Sequence, residues 1–461
     1  MTRFRTIFVI IILFFLAVAL IIRHATTMRA HLEGAHDPQR TFKCQRPPLP
    51  NFRKSVNYVA WINQYFAEGK DPNIAATYAR LCPPEAQNLF ESSESLKQQL
   101  TELMRGPAWK PARHPEVETF MREVEPYIDL FVQEAQKPQY CLQLGPTPDT
   151  PWTGTISGCS EAWYAVHVLL ARAWCESEGR RSQMTVAWDI CLKNSTHLAQ
   201  SRSMLLHDMA SDVRLLVYQS VRDALHHGAL EVSDYAPVRS LLTDSEPPAS
   251  ALTAALYSEW AITLSMFQEL YRGGFLNRKL ADEIWGLDAD ELRRARVRPD
   301  TLVPLMDEYF VKILSVTEQP LTIDSLRDVR RLHNEAAQKL APGHPLPWLI
   351  FLEPDQVFAS ALRSLASRRA TEIILMLHEY HHEKGVWPDS LKKLEEPDGA
   401  ASHIDPFSCR PFVYKVASDT FLLYSVSEDG LDNGGKHGQW SSSPFRETEP
   451  GTDFVFWPVQ K

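Results

Sequence analysis

Tyr380-His381-His382-Glu383-Lys384-Gly385-Val386-Trp387-Pro388 closes a long helical pattern and leads into Asp405-Pro406-Phe407 and then Leu423-Tyr424-Ser425-Val426-Ser427-Glu428-Asp429-Gly430. Upstream, from Pro354 to Lys384, Ile373, Ile374, Leu377 and Tyr380 fall on one side of a helix. Gly385 is the stop signal, because glycine enters the left-handed conformation of a helix end without a steric cost. Pro388-Asp389-Ser390 then opens a short helix through Leu394. Phe412 to Val416 and Phe421 to Val426 read as strands joined across Ala417-Ser418-Asp419-Thr420, and Phe454 to Val459 reads as a third. Residues 354–461 are therefore expected to form a small α+β module, a long helix with about three antiparallel strands.

The chain before that switch is helical in pattern. Glu161 to Glu178, Met184 to Leu198, Met204 to His227 and Ser250 to Tyr271 each carry apolar residues at three- and four-residue spacing. Gly179 and Gly228 sit where helix C-caps belong, and His226-His227 closes one helix where an imidazole suits the negative end of the helix dipole. Helix pairs around Ala171-Arg172-Ala173-Trp174-Cys175-Glu176-Ser177-Glu178-Gly179 resemble tetratricopeptide-type hairpins, but no period of about 34 residues runs through the chain. The fold class expected is mainly α, with an irregular helical bundle or helical-hairpin array over 56–353. Trp163, Trp174, Trp188 and Trp260 are expected in its core.

At 461 residues the chain can hold roughly two or three domains with a sizeable core. Its apolar share of 44% and charged share of 23% are those of a folded protein. A net charge of -9 and the lack of a basic stripe exclude the usual footprint of a nucleic-acid partner. Seven cysteines, at 44, 82, 141, 159, 175, 191 and 409, lack the CxxC spacing of a zinc ribbon or redox site. Buried thiols are the main expectation, with one or two bridges open outside the cytoplasm.

Ile7 to Ile22 is an unbroken apolar run of sixteen residues, flanked by Arg3, Arg5 and Arg23. It covers roughly 24 Å of a hydrocarbon layer about 30 Å thick, within reach if the arginines snorkel. Residues 1–28 are expected to be a single uncleaved membrane anchor, and residues 29–55, with Pro38, Pro47, Pro48 and Pro50, a linker. A cleaved secretory signal is the alternative. The expected location is the inner membrane, with the body on the non-cytoplasmic side.

Two constellations carry chemistry. His378-Glu379-Tyr380-His381-His382 satisfies HExxH, in which His378 and His382 would share zinc and Glu379 would activate water. Charged Glu383 and Lys384 follow, and Pro388 stands where the longer pattern has a third histidine, so a solvated helix end is expected. The second is Asp429-Gly430-Leu431-Asp432-Asn433-Gly434-Gly435 with Asp453 beyond it. Carboxylates and carbonyls on a glycine-rich turn suit calcium, which takes roughly six to eight oxygens; an ordinary hairpin loop is the alternative. Glu259 and Asp208, on apolar helices, have no spacing that fixes them as a pair.

The order of the closing motifs resembles the globular end of a type II secretion major pseudopilin. Asp405-Pro406-Phe407 and Tyr424-Ser425-Val426-Ser427-Glu428-Asp429-Gly430 carry the resemblance. It implies a calcium ion wrapped by the last loop, here through Asp429, Asp432 and Asp453 side chains and the Val426 and Leu431 carbonyls. Lys436 falls near the place of a second acidic ligand, which Asp432 or Asp453 would have to replace. Arg5-Thr6-Ile7-Phe8-Val9-Ile10 has neither the cleaved leader nor the early glutamate of pseudopilins, so the module reads as a borrowed domain. The run from Arg172 through Leu198 to Glu259-Trp260-Ala261 is similar to uncharacterised membrane-anchored proteins of planctomycete-like bacteria, which combine an anchor, a helical body and a pseudopilin-like tail. The function expected is a structural or protein-binding role through the helical body, without catalysis. A membrane-bound zinc metallopeptidase and an accessory component of a secretion or pilus-like apparatus are the alternatives.

Overall fold

Two helices distant in the chain form the centre of the structure, a computed structural model. It describes residues 94–137, 159–176, 180–247, 250–271, 299–339, 354–394, 403–438 and 451–460, apart from 202 and 418, with isolated positions at 47–61 and 275–290. The expected anchor and most of the linker lie outside the described residues. Among the described residues no helix is long and apolar enough to cross a membrane.

Among the described residues the helices are α1 (Glu94–Leu103), α2 (Pro115–Ala135), α3 (Cys159–Ala173), α4 (Arg180–Ala199), α5 (Met204–His226), α6 (Val232–Asp244), α7 (Ser250–Leu270), α8 (Pro299–Thr317), α9 (Ile323–Gln338) and α10 (Pro354–Lys384). Local chemistry sets their ends. Pro115 occupies the first turn of α2, where a missing N–H costs nothing. Glu231 with Asp234, and Thr322 with Ser325, form capping boxes that begin α6 and α9. Gly385, at φ +70, ends α10 as its N–H bonds the His381 carbonyl at 2.8 Å.

α5 packs on α10 and on α4, α6 lies beside α10, and α7, α8 and α9 lead in sequence back to α10. The central pair is buried on most sides, α10 as far as Leu377. Such helices normally read as apolar all round, yet these carry buried polar residues at each turn. Arg222 of α5 donates to Ser367 Oγ (2.9 Å) and Thr371 Oγ1 (2.7 Å) of α10. Trp174, Trp188 and Trp260 are fully buried, as expected, while Trp163 packs half-buried against the core. Trp188 donates to Ser220 Oγ at 3.0 Å, and Trp260 stacks on Phe310 with centroids 5.9 Å apart.

The sheet follows α10. β1 (Ile404–Asp405) pairs antiparallel with β2 (Arg410–Pro411), and β3 (Val413–Val416), β4 (Phe421–Ser425) and β5 (Phe454–Trp457) form an antiparallel sheet in that order. The mainly helical fold with a small carboxyl-terminal sheet is the one expected, and the three longer strands fall within the expected segments. The short pair β1–β2 was not expected, and the helix expected from Pro388 is a single 3-10 turn at Leu391–Lys393. Buried Asp405 ties the pieces together. It accepts from the Phe407 N–H (3.0 Å), Ser425 Oγ (2.9 Å) and the Val426 N–H (3.3 Å). α10 contacts α5, α6 and α9 as well as β1, β4 and β5, so the helical body and the sheet share it. Cys175, Cys191 and Cys409 are free thiols.

Candidate functional site

α5 places Asp208 and Asp212 one turn apart, and α10 meets them with Ser360 and Arg363. Ser360 hydrogen-bonds Asp208, and the Arg363 charge acts on both carboxylates. Arg363 grips Glu428, at the start of the acidic loop, through Nε at 2.8 Å and through Nη2. Arg330 of α9 reaches the same carboxylate at 3.0 Å and Asp355 at 3.4 Å. Two arginines thus gather four acids where α5, α9, α10 and the loop converge.

The acids outnumber the bases there, and burial adds to the imbalance. Asp208 is pushed up by burial, against Ser360 and Arg363. Half-buried Asp212 rises further, to about 8, because burial is joined by the Asp208 charge. Asp212 is accordingly protonated at neutral pH. A carboxyl with a raised folded pKa favours the fold while protonated, so this contribution is full below its ordinary value near 3.8 and is lost as pH rises through about 8. Asp212→Asn should therefore leave stability near pH 4 unchanged and raise it at pH 9 by about 1–2 kcal/mol. Denaturant titrations at the two pH values check this, and an equal effect at both would refute it.

In the acidic loop three of the five expected calcium ligands share one donor residue, Asn433. Asn433 donates from Nδ2 to Asp429 Oδ2 (3.2 Å) and to the Leu431 carbonyl (3.0 Å), and from its backbone to Asp453 Oδ1 (3.2 Å). Gly435, at φ +85, donates to Asp453 Oδ2 at 2.7 Å. Asp432 bonds elsewhere, to Tyr424 Oη (2.8 Å) and the Gly434 N–H (2.9 Å), and these hold its carboxyl below the usual range. Val426 spends its N–H on Asp405 and packs in the core. Lys415 donates to Tyr424 Oη at 2.9 Å and supplies a positive charge beside Asp432 and Asp453. Among the described residues no three His, Cys, Asp or Glu side chains are grouped to hold a metal ion.

The helix end is exposed from His382 on, as expected, whereas His378 to His381 are half-buried. His378 is ringed by Tyr235, Trp387, Phe421 and Trp457, with centroids 6.4, 5.2, 6.0 and 5.0 Å away. Its Nε2 is buried without a partner, and burial, followed by the His381 charge, lowers its pKa to about 4. Glu379 pairs with Arg239 of α6 at 2.9 Å, His381 stacks on Trp387 at 4.1 Å, and His382 is exposed. Rings from α6 and the sheet enclose what the local sequence leaves open.

Asp208 and Glu259 serve different places. Glu259 accepts the Met204 N–H at 3.3 Å at the start of α5, where a negative charge suits the dipole, and burial lifts it to about 7. Arg330, Arg363 and Glu428 were not singled out in the sequence. The available signal was charge at core-facing positions of α10, where Arg363 falls among Phe358, Leu362 and Ala366. No protein-family model, curated protein or solved structure matches the chain.

Proposed function

We propose that the chain is an inner-membrane envelope protein, anchored by Ile7 to Ile22, with a structural or protein-binding role carried by its helical body. The single observation behind the proposal is the junction of Glu428 with Arg363 and Arg330, which locks the start of the acidic loop onto two helices. A side chain committed to such a junction holds surfaces in fixed relation, as a binding scaffold requires. The pseudopilin-like tail acts on this view as a cap for the body. Calcium would be held by Asp429, Asp453 and the Leu431 carbonyl, with Asp432 alongside, and would supply charge neutralisation for the loop. A zinc peptidase using His378, Glu379 and His382 is disfavoured by the ring enclosure of His378 and the Glu379–Arg239 pair. A place in a secretion or pilus-like apparatus rests on the tail resemblance alone.

Metal analysis and thermal unfolding of the full chain in detergent test the proposal together. Calcium at about a hundred times its dissociation constant should add roughly 2.7 kcal/mol, and Asp429→Ala should remove most of that gain. Unfolding that ignores both calcium and chelator would dismiss the calcium loop. Stoichiometric zinc lost on His378→Ala would replace the scaffold reading with the peptidase.

A further inference from the structure

Arg214 and Tyr218 lie one turn apart on α5 and are 2% and 0% exposed. Nε and Nη2 of Arg214 and the Tyr218 hydroxyl are buried without a hydrogen-bond partner. Nε and Nη2 form the side-on edge of the guanidinium, the edge that grips a carboxylate through two parallel bonds. A buried guanidinium left unpaired is among the costliest groups a core can hold, so an unused edge beside an unused hydroxyl points to a ligand. A third donor stands opposite. Arg368 of α10 has its Nε 2.9 Å from Glu246 Oε2 but out of hydrogen-bond alignment, while its Nη1 bonds Glu372 at 2.7 Å. The Glu246 charge acts on both Arg214 and Tyr218. Glu246 is also the exposed member, at 41%, on the turn that follows α6, whereas the Arg368 side chain is 14% exposed.

We infer that Arg214, Tyr218 and Arg368 form a binding site for a small organic carboxylate, which takes the Arg214 edge and the Tyr218 hydroxyl when the Glu246 side chain turns out to solvent. Glu246 stands on the exposed side of the site, where its charge acts on Arg214 and Tyr218 without a hydrogen bond to the Arg214 edge or the hydroxyl. With Glu246 turned away, Arg214 and Arg368 lose one carboxylate charge, which a ligand carboxylate restores one for one and a phosphate dianion would exceed. The site stands independently of the scaffold role.

The test is thermal unfolding of the full chain in detergent at neutral pH, with sodium acetate replacing chloride at constant ionic strength. The expected result is a saturable rise in midpoint with acetate and none with phosphate. Tyr218→Phe should weaken the apparent affinity about tenfold, and Arg214→Gln should abolish it. Because Arg214 is a core position whose variant can fail to fold, Glu246→Gln gives a second reading at an exposed residue. It removes the competing charge and should tighten acetate binding about tenfold. No rise in the wild type, a rise unchanged in Tyr218→Phe and Glu246→Gln, or a larger response to phosphate would each overturn the assignment.

Discussion

Arg363→Met should lower the stability of the full chain by about 3–5 kcal/mol, the largest loss expected for one charged residue here. Methionine fills the volume, so the effect isolates the charge. Its removal takes the two-nitrogen partner from Glu428, 10% exposed, and takes from Asp208 the cation that opposes its burial. Breaking a buried pair from one side costs more than the pair contributes, because the remaining charge has lost water as well as its partner. Arg363→Lys should recover little, since one ammonium cannot reproduce the two-nitrogen grip on Glu428. Denaturant unfolding of the three proteins measures both differences. A change within about 0.5 kcal/mol for Arg363→Met would mean that solvent already screens the junction.

Trp457→Ala should cost about 3–5 kcal/mol through a different cause, the cavity left by a large ring. Trp457 is 6% exposed and stacks on Phe421 at 5.7 Å. Its ring also meets His378 of α10 at 5.0 Å and His226 of α5 at 6.0 Å, so one side chain from the last strand seats the sheet on both central helices. His378→Ala should be milder, about 1–3 kcal/mol, because it removes a smaller ring and also an unpaired buried Nε2. Near-ultraviolet circular dichroism during unfolding would separate the two, with Trp457→Ala losing the aromatic signal before the helical one. Coincident transitions for both variants would show that the sheet and the body unfold as one unit.

Local pattern was enough for most of the fold. α5 and α7 follow three- and four-residue apolar spacing, and Gly228 and Gly385 stop their helices at positive φ as their sequence positions imply. β1 and β2 escaped notice because two residues carry no alternation. The site was only partly legible. Of the expected calcium ligands, Asp429, Asp453 and the Leu431 carbonyl all accept from Asn433, while Asp432 accepts from Tyr424 and Gly434. His378 was misjudged because its neighbours Tyr235, Phe421 and Trp457 come from distant segments that helical period cannot reveal. For the same reason the arginines of α5 and α10 look like surface charge on paper; Arg214, Arg222 and Arg363 prove to be interior.

The bonds from Arg222 to Ser367 and Thr371 join residues 145 and 149 positions apart. During synthesis at roughly 5–20 residues per second, α5 waits on the order of ten seconds or more before its partner helix exists. Until then Asp208, Asp212, Arg214 and Arg222 keep their water, and the apolar residues between them stay uncovered on that side. The centre of the protein is therefore assembled late, by a contact of high sequence separation, rather than grown outward from a local nucleus. Any chain interrupted between α6 and α9 would carry a finished amino-terminal half with its main seam open, a natural substrate for chaperones and proteases.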